Sequence, residues 1–306
     1  MPAQETPVLI VAGPTASGKS SAAAHLGRML SGAVINADSM QVYRDLRVLT
    51  ARPSAEDQRR VPHHLYGHVD GAERYSAGRF VTDSTPIIQG LRAEGTIPIL
   101  CGGTGLYLKA LTDGLSPVPE VPGSFTAHGN ALWDEDPAAF REAVLECDPP
   151  MQRLDPSDRQ RHVRAWAVAQ VSDTPLSEWQ QKPRERALDA LYIPAVLLPD
   201  RDTLYAACDA RFEMMLDSGA FDEVRRLLAR GLPPDLPVMK ALGVPELAAV
   251  LRGDLSETDA IDLAKQETRR FAKRQMTWLR NQTDWPVFDT SDGLVDFFVK
   301  KLVVKA

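Results

Sequence analysis

The sequence predicts an α/β fold, a parallel sheet that carries an α-helical insertion and ends in long helices. Three observations carry the prediction. Short apolar runs alternate with helix-type stretches through the first third of the chain. A proline-rich break then opens a region with helical pattern and no strand-like run. Sheet character returns near Tyr192, ahead of two long helical regions.

The elements follow in order. Val8-Leu9-Ile10-Val11 reads as a buried strand, and Ser20 to Leu30 as a helix. Ala33-Val34-Ile35-Asn36-Ala37 is a second strand, Ile97 to Cys101 a third and Tyr192 to Leu198 a fourth. Pro98 and Pro194 count against the last two, because proline cannot donate to a ladder. Ser116 to Gly123, with prolines at 117, 119 and 122, reads as a linker. Helical pattern runs from about Pro137 to Gln181, whereas Ser124 to Asn130 has little helical character. Arg201 to Arg230 is helical, interrupted at Gly219 and stopped at Gly231. The last helix opens at Ser256, carries Glu257 and Asp259 in its first turn and runs to about Asn281. The domain reading is a core formed by 1–118 and 189–306, with a helical insertion at 119–188.

The chain has 306 residues, 44% of them apolar, enough for one sizeable core and a smaller appended unit. No apolar run is long enough to span a bilayer. Met1-Pro2-Ala3-Gln4-Glu5 has neither a basic n-region nor an apolar h-region. Cys101, Cys147 and Cys208 fit neither a zinc spacing nor a disulfide framework. A cytoplasmic protein without membrane association, acting as a monomer, is expected. The net charge of −6 argues against a wholly basic nucleic-acid binder but leaves room for a local basic surface.

Gly13-Pro14-Thr15-Ala16-Ser17-Gly18-Lys19-Ser20 matches G-x-x-x-x-G-K-[ST], between a strand-type and a helix-type run. In such a loop backbone N–H groups turn inward onto phosphate oxygens, and the helix N-terminus adds partial positive charge. Lys19 can reach a terminal phosphate, and Ser20 can ligate Mg²⁺. The loop reports a polyphosphate without saying which. The fold class is therefore a P-loop NTPase-like parallel sheet core with an inserted α-helical domain and C-terminal helices.

Ligands in a parallel sheet sit beyond the carboxyl ends of the strands. Asp38, after the second strand, belongs on the same edge as the phosphate loop. It reads as a Mg²⁺ ligand through water, as a general base, or as an N-cap aspartate with Ser39. Gly102-Gly103-Thr104-Gly105 opens onto that edge too. Its small residues are expected to leave room for a substrate, and Thr104 to orient Asp38 or touch the ligand.

Basic residues cluster in the last long helix. Lys265, Arg269 and Lys273 recur every four residues, with Arg270 and Arg274 beside them. From Lys265 to Arg280 there are six basic residues and one acidic, Glu267. A second cluster, Arg159-Gln160-Arg161-His162-Val163-Arg164, lies in the insertion, and Arg211 lies in a third helical segment. Three such clusters beside a phosphate loop suit a polyanion such as RNA. His63, His64 and His68 lack further ligand spacing and read as loop or packing residues. Trp133, Trp166, Trp179, Trp278 and Trp285 read as packing residues, base stacking by one of them being the alternative.

Taken in order, Gly13 to Ser20, Asn36-Ala-Asp-Ser-Met-Gln-Val-Tyr43, Gly102-Gly-Thr-Gly-Leu-Tyr107 and Lys273-Arg-Gln-Met-Thr-Trp-Leu-Arg280 resemble the tRNA dimethylallyltransferases, from Val8 to about Asp289. The resemblance implies transfer of a dimethylallyl group from its diphosphate to the exocyclic N6 amine of an adenosine beside the anticodon. It implies Asp38 as general base, Thr104 lining the channel, and Arg211 on diphosphate or RNA. Gly13 to Ser20 would grip the diphosphate, with Ser20 holding Mg²⁺. Contacts to the anticodon stem-loop would come from Asp38, Ser39, Met40, Gln41, Thr104, Gln160, Arg161, Arg164, Lys273, Arg274, Gln275, Trp278 and Arg280. The sequence departs from the family at Gly243-Val244-Pro245, where Gly-Tyr-Arg is common. Two other enzymes would share the loop, an isopentenyltransferase acting on free adenine nucleotides and a small-molecule kinase. A catalytically idle RNA-binding protein is a third alternative.

Overall fold

The computed structural model describes residues 6–303; Met1 to Glu5, read above for a leader, lie outside them. The chain opens with β1 (Val8–Ala12), α1 (Lys19–Leu30), β2 (Ala33–Asn36), α2 (Ala55–Arg60), β3 (His63–His64), α3 (Ala77–Ala93), β4 (Pro98–Gly102) and α4 (Gly105–Thr112). Four helices follow: α5 (Gly123–Glu135), α6 (Pro137–Cys147), α7 (Arg159–Ala169) and α8 (Leu176–Trp179). Then come β5 (Tyr192–Leu197), α9 (Arg201–Asp217), α10 (Ala220–Leu228), α11 (Val244–Arg252), α12 (Glu257–Gln282), β6 (Val287–Phe288) and α13 (Ser291–Val303). Among the described residues no helix is long and apolar enough to cross a membrane.

The six strands form one sheet in the order β3-β2-β4-β1-β5-β6, every pair parallel. β1 is buried along its whole length, which is why it reads as an unbroken apolar run rather than an alternating one. Leu9, Val11, Ile99 and Leu197 of the sheet pack with Ala22 and Leu26 of α1 and Phe298 of α13. Both prolines are accommodated. Pro98 opens β4, where a first residue needs no donor. Val196 N–H reaches toward β6, onto Pro286 O at 2.8 Å. Pro194, two residues earlier, faces the same side before β6 begins, so its missing donor breaks no ladder. His63 and His64 form the edge strand β3, and no group of three or more potential metal-binding side chains occurs among the described residues.

The chain divides at 112/113 and 186/187 into two compact units. In unit 113–186, Phe140, Val144, Met151, Val163 and Leu176 form a separate core, with Trp133, Trp166 and Trp179 packed against it. Leu115 and Glu185 exchange both backbone hydrogen bonds, at 3.1 and 2.9 Å, so entry and exit of this unit lie side by side. Helix α5 covers the Ser124–Asn130 segment that has little helical character of its own. Tertiary contacts hold it there: the space a Cβ on Gly129 would take is 3.0 Å from the Trp166 ring, and Arg159 clasps Asn130 and Asp134.

Candidate active site

The loop from Gly13 to Ser20 joins β1 to α1. Gly18, the N-cap, takes φ 88°, a conformation that favours glycine. Gly13 is required by close approach, since a Cβ there would meet Leu197 O and Ser17 Oγ at 2.7 Å. Ser17 Oγ is buried without a hydrogen-bond partner among the described residues. Lys19 is buried and donates from Nζ to Pro14 O at 3.0 Å. Burial pushes its ammonium below the ordinary lysine value, with Cys101 and Asp38 opposing and Arg211 adding to the fall. Arg211, on α9, donates to Thr15 Oγ1, and burial lowers its guanidinium too. Among the described residues no carboxylate forms an ion pair with either cation. A buried and a partly buried cation near enough to repel each other suit a polyanion, which would repay their loss of water.

Asp38 follows β2 and is held by its neighbours. Asn36, fully buried, accepts Asp38 N–H at 2.9 Å and donates to Asp38 O and Leu65 O, each at 3.0 Å. The carboxylate accepts from Met40 N–H at 2.9 Å and Gln41 N–H at 3.3 Å, both on Oδ1. This is local aspartate-turn geometry rather than a helix N-cap, and Oδ2 takes no part in it. Thr104 Oγ1 accepts Ser39 N–H at 2.9 Å, so Thr104 holds the residue beside Asp38. Gln41, expected on RNA, donates to Thr50 O at 2.7 Å and ties down the loop that follows.

The same loop is anchored by Glu223, a residue the sequence reading missed. Its buried carboxylate accepts Arg47, Val48 and Leu49 N–H at 2.6, 2.9 and 2.9 Å. An acidic residue on the buried face of α10 was the available signal.

At Gly102, Gly103 and Gly105 the space left by the missing Cβ is taken by the protein's own atoms. A Cβ on Gly102 would meet Ala37 O at 2.1 Å, one on Gly103 Gln275 Nε2 at 2.3 Å, and one on Gly105 the Trp278 ring at 2.4 Å. The protein fills that space itself. Gln275, expected on RNA, is buried: its Oε1 accepts Thr15 N–H at 2.8 Å and its Nε2 donates to Gly103 O at 3.0 Å. Thr15 therefore gives its amide to the protein rather than to a phosphate, while its hydroxyl oxygen accepts from Arg211. Gln275 falls on the inward stripe Ala264, Thr268, Ala272, Leu279, so the helical period carried that signal.

The basic stripe of α12 is partly spent on the protein. Lys265 pairs with Glu213, Arg269 with Asp209 and Arg270 with Glu267. Lys273 and Arg274, with Thr277, Trp278 and Asn281, line an open groove of about 520 Å³, and Arg280 is exposed beyond them. In unit 113–186, Gln160, Arg161 and Arg164 line a groove of about 630 Å³ together with Arg153, Asp158 and Gln180. Val244, in place of the family tyrosine, is buried at the start of α11.

At the sheet edge the Ser20 hydroxyl and the Asp38 carboxylate are hard oxygen donors. They fit Mg²⁺, which prefers one or two protein oxygens and completes its shell with phosphates and water. Cys101, hydrogen-bonded to Ser20, has its thiol pushed up to about 11 by burial and offers no competing thiolate.

A phosphate loop after β1 and a carboxylate after β2 at one edge of a parallel sheet define a P-loop NTPase-like α/β protein. More narrowly, the chain belongs to the IPP transferase family, which matches residues 41–282; the isopentenyl transferase family matches residues 6–64. It is 48% identical over 281 residues to a tRNA dimethylallyltransferase of Azorhizobium caulinodans, covering 90% of each chain. It is 50% identical over 285 residues to one of Rhodospirillum centenum, covering 92% of this chain and 90% of that one. Among solved structures it resembles the full-length tRNA isopentenylpyrophosphate transferase of Bacillus halodurans, at 29% identity and a TM-score of 0.70, covering 98% of both. It also resembles a eukaryotic dimethylallyltransferase acting on tRNA, at 27% identity and a TM-score of 0.72, over 89% of this chain and 69% of that one.

Proposed function

We propose that the protein transfers the dimethylallyl group of dimethylallyl diphosphate to the N6 amine of an adenosine beside the anticodon of tRNA. The observation that carries this reading is the pair of cations, buried Lys19 and partly buried Arg211, with no carboxylate ion-pair partner among the described residues, at a phosphate loop whose edge also holds Asp38. An adenine amine is a weak nucleophile because its lone pair is delocalised into the ring. Asp38 Oδ2 accepts the N6 proton as the N6–C1 bond forms and the C1–O bond to diphosphate breaks. Charge gathers on the departing diphosphate, where Lys19, Arg211 and the free N–H groups of the first turn of α1 stabilise it. Ser20 would hold Mg²⁺, which supplies further neutralisation of the diphosphate charge when bound. Thr104 and Asn36 keep Asp38 in place.

The adenine must leave its stack to reach Asp38, which a single-stranded anticodon loop allows. Gln160, Arg161 and Arg164 on one unit, and Lys273, Arg274 and Trp278 on the other, are the proposed RNA contacts. The protein is proposed to work as a monomer in the cytoplasm. The test offers labelled dimethylallyl diphosphate with tRNA, AMP and ATP in parallel. Label in tRNA alone is expected. Label in a free nucleotide but not in tRNA would replace this reading with that of a free-nucleotide isopentenyltransferase.

A further inference from the structure

Gln275 joins the two halves of the site, and among the described residues no other side chain of α12 does so with hydrogen bonds at both ends. Its Oε1 holds the Thr15 amide in the middle of the phosphate loop, and its Nε2 holds Gly103 O. Gly103 adjoins Thr104, whose hydroxyl holds Ser39 beside Asp38. One buried amide therefore spans from the diphosphate grip to the segment that carries the base. The fit is tight, since a Cβ on Gly103 would lie 2.3 Å from Gln275 Nε2 and 2.8 Å from Gly13 O. One turn further along, Trp278 fills the space above Gly105. The same two turns present Lys273, Arg274 and Thr277 to the open groove. A helix turn is rigid, so a force on its outer face moves its inner face with it.

We propose that Gln275 is a positioning residue: it fixes the separation between the diphosphate grip and Asp38, and through it RNA held along the outer face of α12 tightens that grip. The inference rests on the proposed tRNA prenylation. Reacting atoms tolerate little misplacement, and an error of about 1 Å costs on the order of 100-fold in rate. Coupling between two ligands is reciprocal, so the effect is readable from either side.

The test uses the full chain with Gln275→Met, which keeps length and loses both hydrogen bonds, and Gln275→Glu, which keeps the acceptor and loses the donor. Four quantities are measured: kcat and KM in the transfer assay, the Kd of tRNA alone, and the Kd of inorganic diphosphate with Mg²⁺, with and without tRNA. For Gln275→Met, kcat is expected to fall roughly 10- to 100-fold with the tRNA Kd within about two-fold of wild type. The tightening of diphosphate by tRNA expected of wild type should vanish. Gln275→Glu should lose the coupling as well and bind diphosphate more weakly, because its carboxylate faces the anion.

Weaker tRNA binding with kcat retained would make Gln275 an RNA contact and overturn the proposal. Tighter diphosphate with kcat retained would make it a plug on the Thr15 amide, with the same consequence. A wild-type diphosphate affinity indifferent to tRNA would also overturn it. Because both affinities are read by binding, lost coupling is distinguishable from an absence of transfer, which would count against the reaction itself. Should Gln275→Met fail to fold, Gln275→Glu decides the matter by the same readings.

Discussion

The sheet edge and the helical unit hold their polar residues in different ways. At the sheet edge nearly every functional group is fixed by a buried partner: Asn36 pins Asp38, Gln275 pins Thr15, and Glu223 pins the loop that follows Asp38. In unit 113–186, Arg161 and Arg164 face the 630 Å³ groove from the exposed side of α7, with Arg161 held, among the described residues, only by its near neighbour Asp158, while Arg159 is locked into the packing by Asn130 and Asp134. The difference separates two tasks. Chemistry needs atoms placed to a fraction of an ångström, whereas gripping a phosphate backbone needs charge that can adapt.

The sharpest way to break the comparison is Asp38→Ala. Turnover is expected to fall about 1,000-fold, the range of a lost general base, with tRNA Kd within about two-fold. Near-wild-type turnover would remove Asp38 from the base role. Glu223→Ala should come next, destabilising the chain by about 3 kcal/mol in denaturant unfolding, since one buried and two partly buried N–H groups lose their acceptor. A loss no larger than that of an exposed glutamate would show that water replaces the carboxylate.

Lys19 gives a pH-dependent effect. Its ammonium is lowered by burial from 10.5, and the charged form is the one that grips an anion. Affinity for dimethylallyl diphosphate should therefore weaken as pH rises through a value below 10.5. Lys19→Arg should abolish that alkaline limb, because a guanidinium stays charged, and Lys19→Ala should raise KM by about 10- to 100-fold. The same limb in the Lys19→Arg variant would assign it to another group. The smallest effect belongs to the helical unit: Arg161→Glu with Arg164→Glu should reduce the salt slope of tRNA binding by about 2 and leave kcat at saturating tRNA near wild type. An unchanged slope would take this groove out of the RNA site. Arg269 is less suited to such a test than Arg161, because its half-covered guanidinium meets both carboxylate oxygens of Asp209 at 2.6 Å, whereas Arg161 is mostly exposed and meets Asp158 at 3.4 Å.

Elements that carry their own local signal were legible in the sequence. β1, α1, β2, the Gly219 break between α9 and α10, and the Ser256 cap of α12 all follow from run length, period or capping chemistry. The two-residue strands β3 and β6 were not, because strands that short owe their existence to the partner they pair with. Helix α5 was only weakly legible for a related reason, being held by Trp166 and Arg159 rather than by propensity. At the site, the motif residues were readable one by one, but their mutual hydrogen bonds were not. The glycines of the 102–105 loop illustrate this. Small residues signal a close approach, and only the folded chain shows that the approaching atoms belong to Ala37, Gln275 and Trp278 rather than to a substrate.

The paired backbone at Leu115 and Glu185 has a consequence of its own. With entry and exit closed by two hydrogen bonds, and Arg184 pairing with Asp113 beside them, the path between those ends is free to vary in length at small entropic cost. The helical unit is in that sense a cassette. Evolution, or a protein engineer, could exchange the helices beyond the clasp for a shorter turn or for a different recognition surface while the strands on either side keep their course.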